Sequence, residues 1–469
     1  MSDQPQNPPE TDPDTPPVET SDDEFALDAD LVQAILDAVE AGDREGACTL
    51  CDGLHIADLA DLVEQISSEA RRALVGLIWT DLDPELIIEL EEGIRDEVLA
   101  ILEPAEVAQT ARELETDDLV YLVEDLEADQ QAAILEALDP EDRIAVAKSL
   151  EYPEYSAGRL MQADFVKAPA FWTVGQMIDA LRADEDLPEQ FYDIIIVDPA
   201  LRPVGKIPLA AILGNRRPVT LESLMETDFR TLRVDDPQED VAYAFNQYHL
   251  VSAPVVDEDG RVVGVITIDD AMEVLEDEAE EDLKRLGGVG DEEISDRIWA
   301  ITKRRFPWLA VNLITAILAS FVIAVFDATI EQIVALAVLM PIVASMGGNA
   351  GTQTLTVAVR AIATRDLTPT NALRIVWREG VVGLINGVIV AVLIAGVTFS
   401  WFGSPVLGGV IAAAMVVNML IAGLAGILIP MALDRLGADP ALASGAFVTT
   451  VTDVVGFFAF LGLAGAVLL

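Results

Sequence analysis

The chain has 469 residues and a formal net charge of −53, with 81 Asp and Glu residues against 28 Lys and Arg. This acidity argues against nucleic acid as a partner, because a polyphosphate would be repelled, and it is compatible with cations as ligands. The mean hydropathy of +0.37 is nevertheless high for a soluble protein. Nearly all the acid lies before residue 300 and the long apolar runs lie after it. We therefore expect an acidic soluble part followed by a membrane part, although general surface acidity explains most of the charge equally well.

The N-terminal region predicts a tail followed by a helical domain. Residues 1–24 are rich in Pro, Asp, Glu and Thr, so we expect a disordered acidic tail, and they contain no signal peptide pattern. Residues 25–152 place apolar residues at i, i+3 and i+4, as in LVQAILDAVE. Helix starts such as Asp139-Pro140 separate these stretches. The pattern predicts a superhelical stack of short helices, a class of structure that binds other surfaces.

Two cysteines, Cys48 and Cys51, form a single CxxC with His55 four residues later. A zinc site would need a fourth ligand, and the other histidine, His249, is far away in sequence. A redox motif of the thioredoxin type would follow a strand, whereas ACTLCDGLHIADL is helical in pattern. The sequence therefore predicts cysteines in the core or on the surface of a helix.

Short β-branched runs alternate with helices in the next part of the chain. APVVDEDGRVVGVITIDDAMEVL predicts two strands joined by an acidic turn at Gly260, then a helix with Asp269 or Asp270 as its N-cap. A weaker copy, YDIIIVDPALRPVGKIPLAAIL, precedes it. Two such units resemble a pair of α/β CBS domains, at 153–217 and 218–275. The resemblance implies a regulatory module that binds nucleotides or ions.

A strongly acidic connecting segment, 276–303, joins this module to a transmembrane domain at 304–469, and its helix is expected to end at Gly287-Gly288. Five apolar segments each exceed the roughly 20 residues that a helix needs to cross about 30 Å of hydrocarbon. They lie at about 307–326, 332–359, 381–402, 406–432 and 441–469. Basic loop residues cluster on the face that adjoins the acidic domain, so we expect a multi-pass plasma membrane protein with a cytoplasmic N-terminus and an outside C-terminus.

Asp453 is the one ionisable residue within these five predicted segments, about midway along the last. A carboxylate at that depth is costly and normally faces a water-filled path or a partner. Thr449 and Thr450 share or flank its helix face, and hydroxyl oxygens beside a carboxylate suit a hydrated cation. The alternative is a protonated Asp that makes a structural hydrogen bond.

The second apolar segment contains PIVASMGGNAGTQT. Pro341 removes a backbone donor, and Gly347, Gly348 and Gly351 permit either irregular backbone along a water-filled path or close helix packing. The residues alone leave these two interpretations equally open. Asn349 adds an uncharged oxygen ligand in either case. Two glycines of the third segment fit packing better: Gly383 and Gly387.

The whole arrangement, from about residue 25 to the end, resembles the MgtE family of magnesium transporters. Four motifs carry this resemblance: LEDEAEEDLKRLG, MGGNAGTQ, ATRDLT and DPALASGAFVTTVTDVVG. They follow one another along the chain from residue 275 in the order found in that family. The resemblance implies a homodimer in the lipid bilayer with one pore on its two-fold axis. Transported Mg²⁺ would be recognised by Asp453, and the GGN segment, with Asn349, Gly347 and Gly348, would lie along the pore.

The resemblance also implies that the connecting helix is a plug, held closed by regulatory Mg²⁺ on acidic side chains. The matching positions are Asp270, Glu273, Glu278, Glu281 and Asp282. Two positions depart from some relatives: Gly445 replaces an Asn near the last span, and His249 replaces an acid.

Other functions stay open on the residues alone. A transporter of Co²⁺, Mn²⁺ or Ni²⁺ is one, although the spans contain no Cys or His for a soft metal. A membrane ion sensor that conducts nothing is another. The chain has no P-loop, nucleophile elbow or HExxH motif, so we do not expect an enzyme. A nucleotide at the CBS pair is possible, with no residues assigned to it.

Overall fold

The computed structural model describes residues 27–469 except 103, 125, 127, 185, 186, 189, 291 and 293–297. The predicted disordered tail at 1–24 lies outside the described residues. The chain divides into two compact units, Met1–Ala147 and Lys148–Leu469.

The first unit is built from short helices, as the apolar periodicity predicts. They are α1 Ala29–Ala41, α2 Arg44–Cys51, α3 Ile56–Gln65, α4 Ser68–Ile78, α5 Leu86–Glu89, α6 Glu92–Ile101, α7 Pro104–Arg112, α8 Thr116–Glu124 and α9 Ala128–Ala137, and α10 Pro140–Ser149 runs across the boundary of the two units. Side-chain caps begin several of them; Ser67, for example, accepts a hydrogen bond from Ala70 N. Cys51 is buried in α2, and the Cys48 thiol donates to Asp81 at 3.3 Å, so both cysteines lie on a helix as predicted.

The second unit begins with two small sheets of the same topology. In each, the first strand runs parallel to the second, and the second pairs antiparallel with the third. The strands are β1 Lys167–Pro169, β2 Asp193–Val197 and β3 Pro203–Pro208, then β4 Leu232–Arg233, β5 Ser252–Val256 and β6 Val262–Thr267. The helices among them are α11 Ala157–Leu160, α12 Val174–Ala183, α13 Leu209–Gly214 and α14 Gln238–Tyr248. The shared topology confirms the predicted tandem repeat.

The turns of the two repeats explain why the first copy is weak in sequence. Asp198 and Asp257 occupy the same position, and each accepts hydrogen bonds from backbone amides two and four residues later at 2.8–2.9 Å. The second turn uses Gly260 at φ +75°, whereas the first uses Leu201 at φ +61°. A leucine rarely adopts a positive φ. Because the first turn has Leu201 where the second has a glycine, its sequence lacks the usual turn signal.

The helix α15, Ile268–Leu286, is continuous from the second repeat into the connecting segment. Its N-cap is Thr267 rather than the predicted Asp269 or Asp270. Asp270 is the third residue of the helix, and its carboxylate accepts from Thr267 N at 3.2 Å and from Thr267 Oγ1 at 2.9 Å. The helix ends at Gly287-Gly288 as predicted, with Gly288 at φ +72°. The expected boundary at 275/276 therefore lies inside one helix.

Five helices of the described residues are long and apolar enough to cross a membrane. They are α16 Ile298–Val325, α18 Ala335–Ala363, α19 Ala372–Phe402, α20 Pro405–Arg435 and α21 Pro440–Leu468, with the short α17 Asp327–Gln332 after the first. This confirms the five predicted spans, but α16 and α19 each begin nine residues before the predicted 307 and 381. Asp453 is therefore not the one ionisable residue of these helices, because α19 includes Glu379, whose side chain is only 13% exposed.

The central helix of this bundle is α20, which contacts α18, α19 and α21. Glycines let the backbones approach closely. A Cβ on Gly383 would lie 2.7 Å from Met419 O, and one on Gly423 would lie 2.9 Å from Glu379 O. The prediction that Gly383 and Gly387 serve helix packing is confirmed, since both are buried against α20.

Candidate ion path and regulatory acids

Asp453 lies partly exposed midway along α21, while Thr452 and Gly456 on the same helix are buried against the bundle. One turn earlier, the Thr449 hydroxyl donates to Gly445 O at 3.0 Å and the Thr450 hydroxyl to Ala446 O at 2.5 Å. A hydroxyl that gives its proton to the helix backbone presents only oxygen lone pairs outward. The middle of α21 therefore offers oxygen acceptors and a carboxylate, which are ligands suited to a hard cation.

One face of α18 is polar and exposed. Ser345, Asn349, Thr352 and Thr356 follow one another at intervals of three or four residues, and all four are exposed. Asn349 Nδ2 donates to Ser345 Oγ at 3.4 Å. Hydrocarbon offers these groups no hydrogen-bond partners. In a membrane, this face needs water or another protein surface beside it.

The glycines of α18 divide between two faces. Gly347 and Gly351 are buried: a Cβ on Gly347 would lie 2.2 Å from Asn418 Nδ2, and one on Gly351 would lie 2.6 Å from Val448 Cγ1. A Cβ on Gly348 would meet nothing within 4 Å. The helix runs without a break from Ala335 to Ala363. Of the two interpretations that the sequence left open, the structure therefore places Gly347 in a helix-packing contact, on a different face from the exposed Asn349.

The acidic end of α15 lies against the start of α21. Arg285 Nη1 donates to Asp439 Oδ2 at 2.7 Å, and Arg285 also pairs with Glu281. Leu286 packs on an apolar cluster from α18 and α21 that includes Leu355 and Val448. The predicted connecting helix therefore ends in direct contact with the helices that present Asn349 and Asp453.

Several carboxylates near this contact are crowded. Burial raises the pKa of Glu239, with a further contribution from Glu278, and burial raises the pKa of Asp282, with a further contribution from Asp439. Burial also raises the pKa of Glu278, although Gln238 Nε2 donates to its carboxylate at 2.8 Å. The shifts mean that negative charge is disfavoured here, so a bound cation would stabilise the packing.

The structure separates the acids that the resemblance grouped together. Glu278, Glu281 and Asp282 lie near the membrane end of α15, and Glu273 lies exposed nearer its start. Asp270 lies in the first turn of the helix, where its carboxylate caps Thr267 N, and burial raises its pKa to about 6. Within the described residues, no three Asp, Glu, His or Cys side chains form a group that could hold a metal.

Sequence reasoning missed three acids here: Glu239, Asp439 and Glu379. Asp439 belongs to the DPALASG stretch, whose position before a span signalled a helix start rather than a charge contact. Glu379 lay outside the predicted third segment, although Thr354 Oγ1 donates to its Oε2 at 3.4 Å. For Glu239, which lies in the first turn of α14, only the tertiary packing reveals its proximity to α15.

The second CBS repeat also contacts the loop between α18 and α19. Arg365 adopts φ +58°, a conformation that L residues rarely take. Its guanidinium lies 4.4 Å from the centre of the Tyr243 ring and pairs with the carboxylate of Asp240, both on α14. The second CBS repeat and the membrane helices are thus joined at two places, α15 and this loop.

A cleft of about 830 Å³ opens between the two repeats. At its floor, Lys206 Nζ and Ser252 Oγ both donate to Asp193 Oδ2 at 2.7 Å. Its wall includes Arg230, whose guanidinium lies 4.1 Å from the centre of the Tyr248 ring. Other lining residues are Phe191, Glu226, Asp228, His249 and Val251.

His249, which the resemblance marks as a departure from the family pattern, ends α14 at φ +52°. Asn, Asp and His are the non-glycine residues that most often adopt this conformation. The backbone therefore accounts for an acid or a histidine here without any role in ion binding.

Comparison with known proteins agrees with this architecture. The divalent cation transporter family MgtE matches residues 340–463, the MgtE intracellular N domain matches 54–155, and the CBS domain matches 221–277. The magnesium transporter MgtE of Enterococcus faecalis is 34% identical over 67% of this chain and 70% of its own length. That of Thermus thermophilus is 31% identical over 93% and 98%.

A solved structure, the cytosolic domain of a Mg²⁺ channel MgtE in complex with ATP, is 27% identical with a TM-score of 0.48 over 52% of this chain and 99% of that one. The 31% identity to the Thermus protein, over nearly its full length, establishes the relationship. The chain belongs to the MgtE family of magnesium transporters.

Proposed function

We propose that two copies of this chain form a single pore that conducts Mg²⁺ across the plasma membrane. The observation that carries this proposal is the exposed polar face of α18, Ser345, Asn349, Thr352 and Thr356, in a helix long enough to span the bilayer. A second copy opposite this face would enclose it and leave a hydrated path between the two. A lipid-facing arrangement would leave this face with only the partners inside its own helix, such as the Thr356 hydroxyl on Thr352 O at 3.0 Å and Asn349 on Ser345.

Mg²⁺ gives up its water reluctantly and prefers oxygen ligands. A path that accepts it with its water shell therefore needs hydrogen-bond acceptors and negative charge. We propose that Asp453 from each copy provides the charge and that Asn349, Thr449 and Thr450 provide neutral oxygens. Gly348, which has open space beside it, would leave room for the hydrated ion.

We propose that cytoplasmic Mg²⁺ closes this pore by binding among the acids around α15. Glu239, Glu278, Asp282 and Asp439 influence one another electrostatically and lie beside the start of α21. No three of them converge within one chain, so a cation would bridge pairs of acids or acids from two copies. Such an ion shifts the equilibrium only by its higher affinity for the closed arrangement.

The test is flux into proteoliposomes that contain the purified protein, with Mg²⁺ set separately on the two sides. We expect Mg²⁺ to enter when the cytoplasmic side contains none, and entry to slow as cytoplasmic Mg²⁺ is raised. Conduction of Co²⁺, Mn²⁺ or Ni²⁺ in preference to Mg²⁺ would overturn the assignment of Mg²⁺ as the transported ion. Absence of any ion flux from a folded protein would identify a sensor instead.

The cleft between the two CBS repeats favours a second, regulatory binding function. It combines cations, Lys206 and Arg230, with the aromatic side chains of Phe191 and Tyr248, a set that suits a nucleotide with its base stacked and its phosphates paired. We propose that a nucleotide binds there. Titration calorimetry with ATP should show binding that Arg230→Ala weakens and that Arg216→Ala, at an exposed arginine outside the cleft lining, does not. Equal affinity in the wild type and Arg230→Ala would contradict it.

A further inference from the structure

Asn418 lies fully buried at the middle of α20, the central helix of the membrane bundle. Its side chain occupies the space left by two glycines on neighbouring helices. A Cβ on Gly347 of α18 would lie 2.2 Å from Asn418 Nδ2, and one on Gly456 of α21 would lie 2.8 Å from it. The amide donates to Val343 O on α18 at 2.8 Å. One polar side chain of α20 thus contacts both α18 and α21.

This arrangement is costly for a residue that only fills space. Asn418 Oδ1 is buried and has no hydrogen-bond partner among the described residues. A buried polar atom without a partner costs about 1–3 kcal/mol. A leucine, which has the same number of side-chain heavy atoms and a similar branched shape, would avoid this cost. Stability alone therefore does not account for an asparagine at this position.

The contacts of Asn418 fix the rotation of both helices that present the proposed ion path. Successive residues of an α-helix are about 100° apart around its axis. On α18, Asn349 therefore points about 160° away from Gly347, toward the exposed face. On α21, Asp453 lies about 60° from Gly456. Turning either helix by a few tens of degrees would change what Asn349 or Asp453 faces.

We propose that Asn418 is a positioning residue for Mg²⁺ recognition: it holds α18 and α21 in the rotation that directs Asn349 and Asp453 at one path. The inference rests on the proposed function, because it takes these two residues as the ion-recognising groups. Asn418 itself is buried and does not touch the ion. Gly347 and Gly456 are part of the same contact, since only a residue without Cβ leaves room for the Asn418 amide.

The test compares Asn418→Ala and Asn418→Leu with Asn386→Ala, which removes the same amide from an exposed position on α19. The readouts are the half-saturating external Mg²⁺ concentration and the ratio of Mg²⁺ to Co²⁺ flux, both per folded protein in proteoliposomes. We expect both Asn418 variants to raise the half-saturating concentration at least threefold and to lower the flux ratio. Asn386→Ala should leave both unchanged. A merely structural role would reduce the amount of folded protein without changing either quantity.

Substitution of Gly347 provides a second, independent test of the same contact. Gly347→Ala should cause the same change as Asn418→Ala, because the new methyl meets the amide. The double variant Gly347→Ala, Asn418→Ala should recover part of the wild-type selectivity, because the shorter side chain at 418 makes room for that methyl. Such recovery in the double variant is expected when two residues act through one contact, because their effects are then not additive.

The outcomes separate this inference from the proposed function. If the wild type conducts no Mg²⁺, the proposed function fails and the inference fails with it. If the wild type conducts Mg²⁺ and the folded Asn418 and Gly347 variants keep its half-saturation and flux ratio, only the inference is overturned. If every Asn418 variant fails to insert while Gly347→Ala conducts normally, Asn418 is structural and the inference is also overturned.

Discussion

Arg285, in the last turn of the connecting helix α15, donates a 2.7 Å hydrogen bond to Asp439, which directly precedes the last membrane helix. This contact joins two segments 154 residues apart in sequence. Arg285 also pairs with Glu281, so one guanidinium offsets acids on both sides of the junction. Arg285 thus links α15 directly to the start of α21, while Arg360 and Arg365 lie close enough to act on the charges of Asp282 and Glu239.

Replacing Arg285 should weaken the closed arrangement. Arg285→Ala would leave Glu281 and Asp439 without this cation, so more Mg²⁺ is needed to hold the same packing. A partly exposed ion pair contributes up to about 1 kcal/mol, which corresponds to about a fivefold change in an equilibrium constant. We therefore expect the cytoplasmic Mg²⁺ concentration for half-closure to rise about fivefold in proteoliposome flux.

The matched control for Arg285→Ala is Lys284→Ala, one residue earlier. Lys284 pairs at 2.9 Å with Glu280, an exposed residue of its own helix. Its removal takes away the same charge without breaking a contact to α21, and the half-closure concentration should change less than twofold. An equal shift in both variants would mean that net charge, rather than the Arg285–Asp439 contact, sets the response.

The raised pKa values of Glu239, Glu278 and Asp282 predict a dependence on pH. An acid whose pKa is raised in the packed arrangement stabilises that arrangement below its ordinary pKa, and this stability is lost as the pH rises through the raised value. Lowering the cytoplasmic pH toward the ordinary carboxyl range of about 4 should therefore favour packing in the absence of Mg²⁺. The measurement is the initial rate of Mg²⁺ uptake with a chelator on the cytoplasmic side, and we expect that rate to fall.

The same pH series with the double variant Glu239→Gln, Asp282→Asn isolates these groups. Because both side chains stay uncharged at every pH, uptake should respond less to acidification than in the wild type. A wild-type rate that is unchanged, or that rises as the pH falls, would contradict the assignment of these acids to the closed arrangement.

The packing of α19 on α20 predicts a difference between two glycines of α19. Gly383→Ala places a methyl 2.7 Å from Met419 O, a backbone atom that cannot move alone, whereas Gly396 has open space around it. Overpacking typically costs about 1–3 kcal/mol. The apparent melting temperature in detergent should fall by several degrees for Gly383→Ala and stay constant or rise for Gly396→Ala. Equal melting temperatures would show that the two helices can separate freely at this contact.

The architecture was predictable because its signals are local or repeated. Apolar segments of more than 20 residues identify membrane helices directly, and the APVVDEDG repeat identifies the CBS pair once its strand–turn–strand pattern is read. The start of α19 was missed because Arg374, Arg378 and Glu379 lower its local hydropathy, although the helix continues through them. Charge near a membrane surface ends an apolar run in the sequence without ending the helix.

The candidate site was predictable only in part, because it depends on contacts distant in sequence. Asp453 could be found from one sequence because a carboxylate in an apolar run is rare. The two roles of the GGNAG stretch could not be separated until the packing placed Gly347 against Asn418 and Asn349 on the exposed face. Asn418 gave no signal, since a single asparagine in a span is compatible with packing, water or a pore.

The central claim is that the carboxylate of Asp453 recognises Mg²⁺ in the path. Its most direct test is Mg²⁺ uptake by proteoliposomes containing wild type, Asp453→Ala or the nearly isosteric Asp453→Asn, with Asp327→Ala as a matched control at an exposed acid of α17. Equal insertion and size-exclusion profiles show that all four proteins are folded. The account predicts that both Asp453 variants lose uptake and that the Asp327 variant keeps it. Normal Mg²⁺ uptake by folded Asp453→Ala would contradict the account.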